Sequence, residues 1–86
     1  MEEKQISEFR KQIDSIDDLI TAQLNERAKV VLEIRELKNQ AQLPLVDPQR
    51  EQEIFTRMTL ANKGPLPNDD LKEIYKNVLH YMKNFE

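Results

Sequence analysis

The sequence predicts an all-α fold in which each chain contributes one long and two shorter helices to a helical-bundle dimer. Helix-breaking residues are few, because the 86-residue chain has one glycine and four prolines. They fall in two short stretches, at positions 44–48 and 64–67, and leave three uninterrupted segments. These segments carry apolar residues three and four positions apart, the spacing of one face of an α-helix. At this length the chain is predicted to form a single domain, residues 1–86.

The first segment predicts a long helix from about residue 5 to about residue 42. Its apolar residues form a heptad seam: Ile6, Phe9, Ile13, Ile16, Ile20, Val30, Ile34 and Leu37. At 1.5 Å per residue this helix makes a rod of roughly 54 Å, whereas a globule of this chain length is only about 30 Å across. In a monomer, roughly half of the apolar seam would therefore be exposed to water. A second copy of the chain would cover that half, so an obligate homodimer is predicted.

Two shorter helices follow. The second is predicted from about 48 to 63, because Asp47 is a favourable N-cap, Pro48 suits the first helical position and Gly64 ends the pattern. The third is predicted from about 69 to 86. Its apolar stripe consists of Leu71, Ile74, Tyr75, Val78, Leu79, Met82 and Phe85.

The composition argues against several classes of protein. The chain has no cysteine and one histidine, and no cluster of His with carboxylates has ligand spacing, so neither disulfides nor a metal site are expected. Its net charge of −3 comes from 16 acidic and 13 basic residues spread along the chain, which argues against nucleic acid as a partner. No apolar stretch approaches the roughly 20 residues of a membrane span. The first residues, MEEKQISEFR, lack the order of a secretory signal, and a cytoplasmic protein is expected.

Polar residues interrupt the apolar seam near the middle of the first helix. Arg27 stands where the seven-residue series from Ile6 requires an apolar side chain, and Gln23 interrupts the parallel series. An arginine in this position needs a buried ion pair, an exposed edge or a bound anion. Lys38 lies about three turns further along nearly the same face, about 16 Å away. The two cations would bracket a small anion, with a solvated lysine as the alternative.

Charged residues also gather at the start of the second helix, in the segment LVDPQREQEI. Free backbone N–H groups there favour anions, although capping alone accounts for Asp47. A positive charge is poorly placed at a helix N-terminus, so Arg50 is expected to bind an anion, with Glu51 beside it. On the third helix Glu86 extends the apolar stripe with a carboxylate, and a frayed chain end is the alternative.

The charged positions resemble those of the AroQ-type chorismate mutases in order, spacing and residue type. The resemblance covers essentially the whole chain. Its most specific parts are Arg10 followed by the I-D-x-I-D pattern, the pair Glu26 and Arg27, Lys38, and the D-P-x-R-E segment at 47–51. It implies an intertwined homodimer of three-helix chains, an enzyme that rearranges chorismate to prephenate in phenylalanine and tyrosine biosynthesis, and no cofactor.

The resemblance also implies roles for three cations of the long helix. Arg10 of one chain and Arg27 of the other would hold the two carboxylates of chorismate, so that each site is shared across the dimer. Lys38 would hydrogen-bond the ether oxygen and a carboxylate. Lys38 is expected to matter most for rate, because the negative charge that it meets exists mainly in the transition state.

Further site residues follow from the same resemblance. Arg50 would add positive charge, and Glu51 with the backbone of Asp47 would bind the ring hydroxyl. Met82 stands where some members of the family have a small polar residue that touches a carboxylate, so one contact is in doubt. Glu86 aligns with a position usually occupied by glutamine, whose amide donates to the ether oxygen. Only a protonated glutamate can donate that bond.

The implied reaction is a [3,3] rearrangement, which needs no nucleophile and no acid–base relay. It needs the dianion folded into a compact conformer and stabilisation of negative charge on the ether oxygen.

Two alternatives remain open. An isochorismate-pyruvate lyase uses similar cations on a similar substrate, although the D-P-x-R-E segment and the full set of cations favour the mutase. A catalytically silent helical module, either a dimerisation element or a regulatory domain, would account for the seam but not for Arg27. A regulatory domain that keeps the site would bind chorismate or prephenate with little turnover.

Overall fold

The structure is a computed structural model that describes residues 1–84. This part of the chain consists of three α-helices and contains no strand: α1 spans Glu2–Gln40, α2 spans Pro48–Ala61 and α3 spans Asn68–Asn84. The predicted all-α class, with one long and two shorter helices, is therefore confirmed. The predicted end of the third helix, including Glu86, lies outside the described residues.

α1 begins at Glu2, a few residues earlier than the sequence predicts. The backbone N–H of Gln5 donates to the carbonyl of Met1 at 3.0 Å. Glu2 and Glu3 place negative charge in the first turn, where the helix dipole favours it. The predicted start was late because the apolar seam begins only at Ile6, and these first residues carry no apolar signal.

α1 ends at Gln40, two residues before the predicted end, in a Schellman turn. Gln42 adopts the left-handed conformation with φ 58°. Its N–H donates to the carbonyl of Asn39 at 3.2 Å, and the N–H of Leu43 donates to the carbonyl of Lys38 at 2.8 Å. Glycine usually occupies the left-handed position, so a glutamine there gives no signal in the sequence for the end of the helix.

Replacing Gln42 with glycine is expected to stabilise the protein by about 0.5–1 kcal/mol, because glycine adopts positive φ without the steric cost that a side chain incurs. The measurement is the urea midpoint at one fixed protein concentration, since association changes apparent stability. Gln40→Gly is the matched control, because this residue is helical and glycine should there destabilise by about 1 kcal/mol. Equal effects of the two substitutions would contradict the assignment of the turn.

The fold divides into two units, residues 1–33, nearly all in α1, and residues 34–86, which contain the end of α1 with α2 and α3. In the first unit the apolar seam is exposed. Five of its side chains are between 49% and 62% exposed: Ile6, Phe9, Ile13, Ile16 and Ile20. Helices in proteins gain most of their stability from burying an apolar face. This unit therefore carries an apolar face that it does not itself bury.

In the second unit α2 and α3 contact each other. Their half-buried apolar positions repeat three and four residues apart, as expected of helices that pack through one face. On α2 these residues are Ile54, Phe55 and Met58, and on α3 they are Leu71, Tyr75, Val78, Leu79 and Met82. Among the described residues no side chain is fully buried. The described part of the chain thus has a helix pair but no closed core.

The connection between α2 and α3 is organised by the side chain of Asn62. Its Nδ2 donates to the carbonyl of Leu66 at 2.8 Å and to Oδ1 of Asn68 at 2.7 Å. Its Oδ1 accepts from the N–H of Gly64 at 3.0 Å, and Gly64 has a positive φ of 74°. One side chain therefore satisfies polar groups along the loop and sets where α3 begins.

Candidate active site

The C-terminal part of α1, the first turn of α2 and the last turn of α3 are joined by two contacts. Nη1 of Arg35 in α1 donates to the carbonyl of Lys83 in α3 at 3.0 Å. Nζ of the same Lys83 lies 3.7 Å from Oε2 of Glu51 in α2. Four of the predicted site residues lie on these helix ends: Lys38, Asp47, Arg50 and Glu51.

The partly covered face of α1 carries cations rather than the apolar seam. At the end of α1, Arg35 and Lys38 are half-buried and lie three residues apart on one helical face. Within residues 1–33, Arg27 and Val31 are half-buried and lie four residues apart. Seam residues in the same stretch are more exposed, among them Val30, Ile34 and Leu37. Within residues 1–84 the ammonium of Lys38 forms no ion pair. Lys38 therefore presents its charge from a partly desolvated position.

Two further predicted site residues, Arg10 and Arg27, belong to residues 1–33. Arg10 is exposed and Arg27 is half-buried, and no charged side chain of the described chain is fully buried. The neighbouring Glu26 pairs with Lys29, one turn further along α1, at 3.0 Å. The interruption of the seam at Arg27 is thus not a fully buried charge within one chain.

The first turn of α2 is built around Asp47. Asp47 is the N-cap, and its Oδ1 accepts from the N–H of Arg50 at 3.1 Å. Its carbonyl accepts from the N–H of Glu51 at 3.2 Å, which is the first bond of the helix. The capping interpretation of the Asp47 side chain is therefore confirmed. The cap orients Arg50 and Glu51 by fixing the turn that carries them.

Arg50 contacts a carboxylate of its own helix. Its Nη1 lies 3.4 Å from Oε2 of Glu53, and both side chains are about half exposed. Exposed pairs of this kind contribute about 0–1 kcal/mol, so the guanidinium can exchange Glu53 for another anion at little cost. Sequence reasoning did not identify Glu53, although its three-residue spacing from Arg50 could have indicated the pair.

Met82 is half-buried on α3, directly before Lys83, whereas Glu86 lies outside the described residues. Sequence reasoning missed both Arg35 and Lys83. Helical spacing could have indicated Arg35, which stands three residues before Lys38 on the same face of α1. No local signal marks Lys83, because its partner in α2 is distant in sequence.

The described residues hold no group of three His, Cys, Asp or Glu side chains arranged to bind a metal ion. None of the described helices combines the length and apolar character needed to span a membrane. The helix ends instead carry the ammonium of Lys38, the guanidinium of Arg50 and the carboxylate of Glu51. Such an arrangement can bind and orient a small anion, and its carboxylate can accept a hydrogen bond from a hydroxyl group.

Known proteins are similar to this chain in sequence. The chain is 41% identical to the bifunctional chorismate mutase/prephenate dehydratase of Aquifex aeolicus, over 88% of this chain and 22% of that protein. It is 38% identical to the chorismate mutase of Methanocaldococcus jannaschii, over 64% of this chain and 56% of that protein. The chain thus spans about a fifth of the length of the first relative and just over half of the second.

The fold is shared as well. The structure of chorismate mutase (form I) from Thermus thermophilus superposes with a TM-score of 0.89 at 32% identity. The match covers 91% of this chain and 98% of that one. Residues 9–86 match the family model described as chorismate mutase type II, a range that includes every predicted site residue. The chain therefore belongs to the chorismate mutase type II family.

Proposed function

We propose that this chain catalyses the rearrangement of chorismate to prephenate and that it does so as a homodimer. The observation that carries the proposal is the placement of Lys38, Arg50 and Glu51 on helix ends that Arg35 and Lys83 join, in a chain of this family. These groups supply two positive charges and a hydrogen-bond acceptor. A dianion with a ring hydroxyl matches that set.

The reaction breaks a C–O bond and forms a C–C bond within one molecule, so electrons move in a ring and no proton or group is transferred. The site must hold the extended dianion in a folded conformer, which lowers the entropic part of the barrier. It must also stabilise the negative charge that grows on the ether oxygen. The Lys38 ammonium is proposed to donate to this oxygen, and the partly buried position of Lys38 strengthens that interaction relative to water.

The remaining groups are proposed to bind and orient the substrate. Arg50 would exchange its exposed contact with Glu53 for attraction to a substrate carboxylate. Glu51 and the backbone of Asp47 would bind the ring hydroxyl, in a turn that the Asp47 cap stabilises. Met82 would supply an apolar wall where some members of the family place a small polar group.

The homodimer is proposed because the seam of α1 needs a surface to cover it. Ile6, Phe9, Ile13 and Ile16 leave about half of their surface or more in water, and they form one stripe. A second copy presents the same stripe, so a two-fold pair of α1 helices buries both. In this assembly Arg10 of one chain would act with Arg27 of the other on the two substrate carboxylates.

The proposal is tested by adding purified protein to chorismate and following the loss of chorismate absorbance and the appearance of prephenate. The molar mass in solution is measured at the assay concentration. We expect turnover and a mass of two chains. Binding of chorismate without turnover would instead indicate a regulatory module, and salicylate formed from isochorismate would indicate the lyase. A monomer with full activity would contradict the shared site.

Glu86 provides a test by pH. If it donates to the ether oxygen it must be protonated, so activity is expected to rise as the pH falls from about 8 to about 5. Glu86→Gln is expected to raise kcat/KM at neutral pH by about tenfold, the worth of one hydrogen bond to a charged oxygen. The control is Glu73→Gln, since Glu73 pairs with Lys76 on the surface of α3. A flat profile for the parent protein, or a Glu86→Gln variant slower at both ends of the range, argues against this role.

A further inference from the structure

Lys83 contacts both other helices of its unit, one through its backbone and the other through its side chain. Its carbonyl accepts from Nη1 of Arg35 at 3.0 Å, and its Nζ lies 3.7 Å from Oε2 of Glu51. Carbonyls in the last turn of a helix have no partner within the helix, and a cation placed there also interacts favourably with the dipole. Arg35 thus fixes the end of α3 from which the Lys83 side chain extends.

The pair of Lys83 and Glu51 differs from the other ion pairs of the described chain. It joins two helices, whereas the others join residues three apart within one helix. Its side chains are 42% and 31% exposed, compared with 52% to 69% for the members of the other pairs. Lower exposure means weaker screening by solvent and salt. The attraction within this pair is therefore less screened than in the three exposed pairs, although its separation of 3.7 Å is longer than theirs.

We infer that Lys83 is a positioning residue, which holds the Glu51 carboxylate in the orientation that accepts the hydrogen bond of the substrate hydroxyl. The inference rests on the proposed function. A free glutamate beside a dianion would be repelled and could rotate about three side-chain bonds away from it. An ammonium 3.7 Å from the carboxylate offsets that repulsion and disfavours the rotation. The effect of Lys83 on the substrate then passes through Glu51.

The test is a double-mutant cycle in the full chain, with kcat and KM measured for Lys83→Met, Glu51→Gln and the two combined. Lys83→Met is expected to raise KM about two- to fivefold, as fits a partly exposed ion pair, and to change kcat less than about twofold. Lys83→Arg is expected to restore the parent KM. In the Glu51→Gln background, Lys83→Met should have no further effect. Lys76→Met, which removes an ion pair within α3, is the matched control and should behave as the parent.

Two outcomes overturn the inference. One is an unchanged KM in Lys83→Met. The other is an equal rise in KM in the Glu51→Gln background, which would show that Lys83 acts on the substrate directly. A readout without turnover separates this inference from the proposed function. In substrate-free protein the carboxyl ¹³C resonance of Glu51 should shift in Lys83→Met but not in Lys76→Met. If that shift occurs while the parent does not turn over chorismate, the ion pair stands and the proposed function fails.

Discussion

Replacing Lys38 with alanine is expected to lower kcat about 10²- to 10³-fold, with a much smaller change in KM. The reason is that the ammonium would meet a charge that develops on the ether oxygen only as the C–O bond breaks. Its half-buried position in the last turn of α1 limits the water that could replace it. The measurement is steady-state loss of chorismate at several substrate concentrations, analysed separately for kcat and KM.

The matched control for this prediction is Lys29→Ala. Lys29 lies on the same helix, is exposed and pairs with Glu26 one turn away at 3.0 Å, so its loss should leave kcat within about twofold of the parent. If Lys38→Ala raised KM and left kcat unchanged, Lys38 would bind ground state and transition state equally. The proposed role at the ether oxygen would then be wrong.

Arg10→Ala and Arg27→Ala are each expected to lower kcat/KM by at least about 10²-fold, because each would remove the charged partner of one substrate carboxylate. The proposed shared site also predicts that activity returns when the two variants are combined. When the two inactive variants are mixed in equal amounts, unfolded and refolded together, half of the dimers contain one chain of each kind. In these dimers one site lacks both arginines and the other site has both. The mixture should therefore recover about one quarter of the parent activity.

The same mixture distinguishes a shared site from a site within one chain. If Arg10 and Arg27 of the same chain acted together, no pairing of the two variants could rebuild a complete site, and the mixture would stay inactive. The control is each variant unfolded and refolded alone, which should remain inactive.

Much of the fold was predictable from local sequence. The two clusters of proline and glycine separate three helices, and Asp47 caps α2 as expected. The misplaced boundaries have local causes too. The start of α1 lies ahead of its apolar seam. The end of α1 depends on Gln42, which adopts a left-handed conformation. A glycine at this position would have indicated the end of the helix in the sequence.

The candidate site was predictable only in part. The charges that interrupt an apolar pattern or stand at a helix start were visible as residue types in the sequence, and the resemblance to a family assigned them roles. The roles of Arg10, Arg27, Lys38 and Glu51 remain predictions, which the variants above test. The ion pair between Arg50 and Glu53 could have been predicted from helical spacing, since Glu53 is one turn away on the same helix.

Helix number, helix class and the existence of an uncovered seam follow from the sequence alone, because they depend on spacing and on residues within one turn of each other. The meeting of three helix ends at Lys83 does not follow from the sequence alone. Arg35 and Glu51 reach it from other helices, 48 residues away in the case of Arg35, and no periodicity relates such positions. Which cationic face of α1 is partly covered, and which carboxylate Lys83 contacts, depend on how the helices pack, and that is a property of tertiary structure.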